Sequence, residues 1–133
     1  MKFYIASSLK NIENVRRVAE SLKSRGFIQT YDWTTHSNID CISKLSKIGQ
    51  EEVTGVLDAD VVIVMFPAGK GSHVELGIAM GAKKKIYLYS STHEINEIGT
   101  TCTFYHVNEI EQIIGSLQDL IDSVCFSYQA SLK

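Results

Sequence analysis

The sequence lacks several features that would indicate a function directly. Its 133 residues contain no apolar stretch long enough to cross a membrane, and the first residues become polar too soon for a secretion signal. The formal net charge is only -2, which argues against a protein that holds nucleic acid by bulk positive charge. There is no internal repeat, low-complexity segment or linker. We therefore expect a single domain, residues 1–133, with neither a membrane nor nucleic acid as a partner.

Cysteine is also scarce. Cys41, Cys102 and Cys125 have no metal-ligand spacing, and an odd, scattered set is typical of reduced thiols in a cytoplasm. We therefore expect a cytoplasmic protein with no metal and no cofactor. The hydrophobic fraction of 44% and the charged fraction of 21% are ordinary for a soluble globular domain.

The most informative stretch is a strand-loop-helix-strand pattern between residues 59 and 89. The apolar, β-branched run 61–66 predicts a strand buried on both faces. The turn PAGKG at 67–71 follows, and an apolar helix is predicted to begin at Ser72. A second strand is predicted at 86–89. The glycine loop and the helix N-terminus therefore stand at the carboxyl end of a parallel strand, where open α/β sheets bind ligands.

The rest of the chain also alternates between strands and helices. The predicted strands are 2–6, 27–31 and 103–107, and the predicted helices are 11–25, 42–58 with a possible interruption at Gly49, and one capped by Asn108, with a tail after Phe126. This alternation predicts an α/β fold, a flavodoxin-like or Rossmann-like three-layer sandwich with a five-stranded parallel sheet in order 2-1-3-4-5. In that order the first and third strands are neighbours. Tyr4, Ser7 and Ser8 are therefore expected beside residues 69–75.

Glu75 is the foremost candidate for chemistry. It is predicted in the first turn of a helix, next to a glycine loop and at the expected ligand crevice, where a carboxylate can act as nucleophile or base. A structural interpretation competes with this one. Ser72 and Glu75 have the spacing of a capping box, which stabilises a helix by about 1 kcal/mol without any catalytic role.

The loop around Lys70 has two interpretations as well. Its backbone N–H groups and the Lys70 charge could hold a phosphate at the helix N-terminus, although the loop matches neither the P-loop nor GxGxxG pattern. Alternatively, it is only a tight turn. If it holds phosphate, a nucleoside monophosphate is a better ligand than a neutral nucleoside.

Four further residues are candidates with structural alternatives. Tyr4 lies in a predicted strand covered on both faces, where a core role is usual. Glu52 is expected on the solvent-exposed face of a helix. Asp32 and Trp33 begin the loop after the second strand, and the Trp could stack on a base or cover the core.

The segments FYIASS, ADVVIVMF and HVELGIAMGAKKKIYLY resemble the nucleoside 2-deoxyribosyltransferases and the related 2'-deoxynucleoside 5'-phosphate N-hydrolases. The resemblance runs from Phe3 to about Tyr89, and VELG is its most specific part. It implies a flavodoxin-like enzyme in which a glutamate attacks the anomeric carbon of a nucleoside. A covalent glycosyl-enzyme forms, and water or another base resolves it.

The resemblance also implies roles for individual residues. It makes Glu75 the nucleophile and Tyr4 the residue that orients it. It places Ser7 and Ser8 along the sugar and base, and it gives Glu52 the role of assisting the departing base. Together with the loops at the sheet edge, the expected substrate-binding residues are Ser7, Ser8, Asp32, Trp33, Gly69, Lys70, Gly71 and Ser72.

One position departs from both groups of relatives. Where they carry an aspartate for the sugar hydroxyl or a serine near the phosphate, this chain has Gly69. A non-catalytic nucleotide or nucleotide-sugar sensor of the same fold is therefore the alternative to an N-glycosidase. The resemblance further implies a homodimer or larger homo-oligomer, with the loop 90–101 completing a neighbouring site. Among enzymatic functions, we favour hydrolysis of a nucleoside monophosphate over base exchange.

Overall fold

The central sheet of the computed structural model, which describes residues 1–36 and 39–132, has five parallel strands in the order β2-β1-β3-β4-β5. The strands are β1 (Lys2–Ala6), β2 (Ile28–Gln29), β3 (Val61–Met65), β4 (Lys85–Ser90) and β5 (Ile110–Ile114). The predicted fold class and strand order are confirmed. β3 lies at the centre and is buried along its whole length, as its β-branched composition predicts.

Helices cover both faces of this sheet. They are α1 (Ile12–Ser24), α2 (Ile42–Asp58), α3 (Lys70–Gly81) and α4 (Leu117–Ser131). α1 packs beside α4, and α2 packs beside α3, so one pair covers each face. α2 continues through Gly49 without the interruption that the glycine suggested. Within the described ranges, no helix combines the length and the apolar character needed to cross a membrane.

The register of the sheet fixes the position of the ligand edge. β1 pairs with β3, and Tyr4 lies opposite Val62. Both strands end at the same edge, where the Ser8 N–H donates a hydrogen bond to the Pro67 carbonyl over 3.2 Å. The loops that follow β1 and β3 are therefore in direct contact, as the predicted strand order requires.

The C-terminal third of the chain corrects two predictions. The fifth strand was expected at 103–107, but Thr103–His106 forms a 3-10 turn and the strand lies at Ile110–Ile114. The last helix was expected to begin after Asn108, but it begins at Leu117. The isoleucines at 110, 113 and 114 have helical spacing, but they are β-branched and extend the sheet beside β4.

The actual start of α4 has a clear chemical cause. Gly115 has a φ of 156°, a left-handed conformation that ends the strand. Ser116 then caps the helix, because its hydroxyl accepts from the Asp119 N–H over 3.0 Å while Asp119 accepts from the Ser116 N–H over 2.9 Å. The expected tail after Phe126 is also wrong, since the helix continues to Ser131.

Candidate active site

A buried tyrosine and a buried glutamate form the centre of the candidate site. Tyr4 comes from β1 and is fully buried, and its hydroxyl donates a hydrogen bond to the Glu75 carboxylate of α3. Glu75 itself is only 7% exposed. A carboxylate buried to this degree needs a hydrogen-bond partner, and Tyr4 supplies it.

The capping interpretation of Glu75 is wrong. α3 begins at Lys70, with Gly69 as its N-cap, so Glu75 lies deeper in the helix than the sequence suggested. The Ser72 hydroxyl accepts a hydrogen bond from the Gly69 N–H over 3.2 Å and closes the first turn. The Glu75 carboxylate takes no part in this cap, because it points inward to Tyr4.

A second carboxyl group faces Glu75 from α2. Glu52 is half-buried, and its carboxyl is close enough to that of Glu75 for each group to affect the pKa of the other. Burial raises the pKa of Glu52, and this rise is opposed by the His36 charge and by the interaction with the Glu75 side chain. Glu52 is therefore not a solvent-covered residue of an outer helix face.

The electrostatics of Glu75 follow from this arrangement. Burial, opposed by the Tyr4 hydrogen bond and reinforced by the Glu52 charge, raises the pKa of Glu75 to about 7. Burial and the Glu75 charge raise the pKa of Tyr4, which therefore stays a neutral donor. Because two close carboxylates repel each other, the pair favours a state in which one of its carboxyl groups carries a proton.

Three residues that sequence reasoning missed surround this pair. The Tyr31 hydroxyl shares a hydrogen bond with His36 Nε2, and the His36 charge acts on Glu52. Gly55 of α2 lies against the Tyr4 ring and the Tyr31 Cβ. Both Tyr31 and His36 follow β2 at the ligand edge, so their position was the signal that could have drawn attention to them.

The loop after β1 contains two serines, one that joins two strands and one whose hydroxyl has no hydrogen-bond partner among the described residues. The Ser7 hydroxyl donates to the Met65 carbonyl over 2.8 Å, and Asn11 Nδ2 donates to Ser7 Oγ over 3.1 Å, so Ser7 ties β1 to β3. Ser8 Oγ is buried and has no hydrogen-bond partner among the residues that the structure describes. It lies next to Gly69, whose Cβ, if present, would be 3.9 Å from Ser8 Cβ.

The glycine loop is more open. Lys70 is the first residue of α3 and is exposed, as is Gly71, whereas Ser72 is buried by its cap. Backbone N–H groups of the first turn of such a helix face outward and favour an anion. Lys70 therefore stands at the position where the sequence predicts a phosphate.

Asp32 and Trp33 are both engaged within the protein. Asp32 Oδ1 accepts hydrogen bonds from the Thr34 N–H over 2.9 Å and from the Thr34 hydroxyl over 2.6 Å, so it caps a short turn. The Trp33 indole is 9% exposed, and its Nε1–H donates to the Ile5 carbonyl over 2.6 Å. This geometry agrees with the interpretation in which the Trp33 indole covers the core.

An aromatic cluster borders the other side of the glycine loop. His73 Nδ1–H donates to the Gly69 carbonyl over 2.8 Å, and the Tyr105 hydroxyl donates to His73 Nε2 over 2.6 Å. Phe66 packs edge-on against both rings. Both ring nitrogens of His73 therefore form hydrogen bonds that support the loop.

Two cavities are lined by residues of α2, of the turn after β3 and of the loop after β4. One, of about 470 Å³, is lined by residues that include Tyr31, Glu51 and Gly55. The other, of about 300 Å³, lies between the turn after β3 and residues Glu94 and Thr100 of the loop after β4. Neither Glu75 nor Glu52 is among the lining residues of these two cavities.

The fold and these contacts define an α/β protein with a carboxyl pair at the topological switch point of a parallel sheet. This is the arrangement that supports nucleophilic and general acid–base chemistry at a bound small molecule. The chain belongs to the nucleoside 2-deoxyribosyltransferase family, whose sequence pattern matches residues 3–111. The resemblance seen in the sequence is therefore confirmed, and the chain belongs to a family of enzymes.

Solved structures agree with this assignment. The CMP N-glycosidase BcmB of Clostridium botulinum has 14% identity, covering 94% of this chain and 99% of its own, with a TM-score of 0.63. The 2-deoxyribosyltransferase of Bacillus psychrosaccharolyticus has 14% identity, covering 92% of this chain and 91% of its own, with a TM-score of 0.70. At this identity the likeness shows the fold alone. A search of curated protein sequences returns no significant match.

Proposed function

We propose that the protein cleaves the N-glycosidic bond of a nucleoside or nucleoside 5'-monophosphate, with Glu75 as nucleophile. The observation that carries the proposal is the buried hydrogen bond from Tyr4 to Glu75, together with the Glu52 carboxyl, which acts on Glu75 from a third element. A helix cap or a fold contact does not need two facing carboxyl groups, whereas the retaining cleavage of a glycosidic bond does. Membership of the deoxyribosyltransferase family supports the same chemistry.

The proposed reaction has two steps. In the first, the Glu75 carboxylate forms an ester bond with the anomeric carbon while the bond to the base breaks, and the Glu52 carboxylic acid gives its proton to the departing base. In the second, the Glu52 carboxylate takes a proton from water, which attacks the anomeric carbon and releases Glu75. Tyr4 orients the Glu75 carboxylate throughout.

The substrate proposal goes one step further. Lys70 and the first turn of α3 favour a negatively charged group, and the Ser8 hydroxyl, which has no partner in the described part of the chain, is close to that turn. We therefore propose a nucleoside monophosphate rather than a free nucleoside, and water rather than a second base as acceptor.

The test is release of free base from a panel of deoxynucleosides, ribonucleosides and their monophosphates, detected by chromatography. Glu75→Gln keeps the side-chain size and accepts the Tyr4 hydrogen bond, but it is not an anionic nucleophile. We expect a loss of at least about a thousandfold in kcat/KM, and no sugar adduct by mass spectrometry of the denatured variant. Glu109→Gln, at an exposed position, is the matched control.

Two results would contradict the proposal. Full activity in Glu75→Gln excludes this residue as the nucleophile. Absence of base release from every substrate, together with calorimetric binding of a nucleotide, favours the alternative of a non-catalytic sensor. We retain the sensor as the alternative because this chain has Gly69 where the relatives have an aspartate or a serine.

A further inference from the structure

His36 follows a short turn that is tied to two other elements of the fold. The turn, Trp33–Thr35, comes after β2 at the ligand edge of the sheet. The Trp33 Nε1–H donates to a carbonyl of β1 over 2.6 Å, and Arg16 Nη2 of α1 donates to the Thr34 carbonyl over 2.8 Å. These two hydrogen bonds fix the backbone immediately before His36.

Tyr31 connects His36 with helix α2. The Tyr31 hydroxyl shares a hydrogen bond with His36 Nε2, and the two rings pack at a tilt of 33° with their centroids 5.7 Å apart. The Tyr31 Cβ lies against Gly55, only 2.8 Å from the position that a Cβ would take there. Glu52 precedes Gly55 by three residues on α2, and residues at this spacing are neighbours on a helix surface. These contacts therefore place His36 near the turn of α2 that carries Glu52.

His36 differs in charge from the other groups around the Glu52 carboxyl. Glu75 and Tyr4 act on Glu52 from α3 and β1, and Tyr31 and His36 act on it from the segment after β2. Of these described groups, His36 is the one that becomes positive when it takes up a proton. Burial raises the pKa of Glu52, and the His36 charge opposes this rise.

Three more charged groups lie on the same side of the site. Glu51 and Asp32 act by charge on the tyrosine that holds His36. Glu51 also pairs with Lys47 over 4.0 Å, but the Lys47 side chain is 79% exposed, so solvent screens its charge. The positive charge that acts on Glu52 is therefore that of His36.

We propose that His36 is a positioning residue for the proposed reaction, and that its charge determines which of the two carboxyl groups carries their shared proton. A charged His36 favours the Glu52 carboxylate, so the shared proton stays on Glu75 and the nucleophile is blocked. When His36 gives up its own proton to solvent, the shared proton moves from Glu75 to Glu52. The Glu75 carboxylate is then free to attack, and Glu52 can protonate the departing base.

This inference rests on the proposed function for its kinetic consequence, but not for its electrostatic one. An imidazole changes its charge between about pH 5 and 8, so His36 acts on the carboxyl pair within this range. A titration of the pair needs no substrate and therefore tests the effect of His36 separately from the reaction.

The first experiment is a carbon-13 NMR titration of the full chain with labelled glutamate carboxyl groups, in which Glu52→Gln identifies the Glu52 signal. In His36→Gln we expect Glu52 to titrate at a pH higher by about 0.5, the size of effect that a unit charge several Å away has across solvent. His36→Lys carries a permanent positive charge, so Glu52 should titrate at or below the native pH. A merely structural role of His36 would not give opposite results in the two variants.

The second experiment is the pH profile of kcat/KM for base release. We expect His36→Gln to raise kcat/KM by about twofold to threefold at about pH 6 and to leave it unchanged at about pH 8. His36→Lys should lower kcat/KM by about threefold at about pH 8, where the native imidazole is neutral. His93→Gln, at an exposed histidine in the loop after β4, is the matched control, and circular dichroism checks that each variant is folded.

Two results would overturn the proposal. One is a Glu52 signal that titrates at the same pH in the native protein, His36→Gln and His36→Lys. The other is an equal loss of activity in both variants at every pH, which indicates a structural role for His36. Shifted titrations without base release from any substrate contradict the proposed reaction but leave the effect of His36 on Glu52 standing.

Discussion

The residue that best shows how tightly the candidate site is built is Gly55, which carries no chemistry. A Cβ at this position would lie 2.8 Å from Tyr31 Cβ and 3.1 Å from Tyr4 Cδ2. The helix backbone therefore approaches the Tyr4 ring and the Tyr31 Cβ as closely as a glycine allows. The same Tyr4 ring carries the hydroxyl that donates to Glu75.

We expect Gly55→Ala to reduce kcat/KM by about tenfold to a hundredfold, because the methyl group displaces Tyr4 from the Glu75 carboxylate. Overpacking costs about 1–3 kcal/mol, partly offset by up to about 1 kcal/mol of better helix propensity. Steady-state kinetics and chemical unfolding measure the two effects. Gly77→Ala on α3 is the control, because no atom of the described residues beyond its own helix turn lies within 4 Å of the position that a Cβ would take there. Equal kinetics in both variants would argue against a positioning role.

Individual residues also show where sequence reasoning stops. The resemblance named Glu75, Tyr4 and Glu52, and the structure brings these three together. It did not name Tyr31, His36 or Gly55, because these residues matter through their contacts with one another and with the Tyr4 ring, and through the His36 charge on Glu52. A sequence pattern contains residue types and spacings, but not the packing of a ring on a helix backbone.

At the scale of elements, the clearest lesson comes from the two helix starts that the sequence misplaced. α3 begins at Lys70 rather than Ser72. The sequence did not indicate this start, because the N-cap residue Gly69 has no side chain that would mark it as a cap. α4 begins at Leu117, although Gly115 and Ser116 carried the usual signals of a stop and a cap. The helical spacing of the isoleucines in β5 outweighed those signals.

The true start of α3 sharpens the phosphate hypothesis. Lys70 is now the first residue of the helix, next to the N–H groups of the first turn, so an anion bound there meets both a positive side chain and the helix dipole. Because Lys70 is exposed, solvent and salt weaken its contribution.

We therefore expect Lys70→Ala to weaken nucleoside monophosphate binding by about tenfold, the lower end of the range for charge-assisted contacts. Binding of the uncharged nucleoside should not change. Calorimetric titration at low and high salt measures both. Lys83→Ala, at the other end of α3, is the control. Equal affinities of the native protein for a nucleoside and its monophosphate would sink the hypothesis.

At the scale of the whole molecule, the strand order could be predicted from the sequence, whereas the geometry of the candidate site could be predicted only in part. The alternation of strands and helices predicts the order 2-1-3-4-5, since right-handed crossovers leave few other arrangements. That order brings β1 beside β3, and with them Tyr4 near Glu75. The burial of the Glu75 side chain could not be predicted from the sequence, because it depends on how α2 and α3 pack together over the sheet.

This burial makes the stability of the whole fold depend on pH. The folded-state pKa of Glu75 is about 7 against an ordinary value of 4.5, so the folded protein binds this proton more tightly than the unfolded chain. Its contribution is most favourable below about pH 4.5 and is lost as the pH rises through 7. The linkage relation converts this difference to about 3 kcal/mol of lost stability above neutral pH.

We expect Glu75→Gln to remove this cost, because the amide keeps the Tyr4 hydrogen bond and carries no charge. The variant should be more stable than the native protein by about 3 kcal/mol at pH 8 and by less than about 1 kcal/mol at pH 5. Denaturant unfolding at the two pH values measures this, with the exposed Glu109→Gln as control. If Glu75→Gln shifts stability equally at both pH values, the carboxylate is not ionised at a cost within the fold. A gain confined to pH 8 would mean that the buried Glu75 carboxylate is ionised at a cost to stability, which is the state that a carboxylate nucleophile needs.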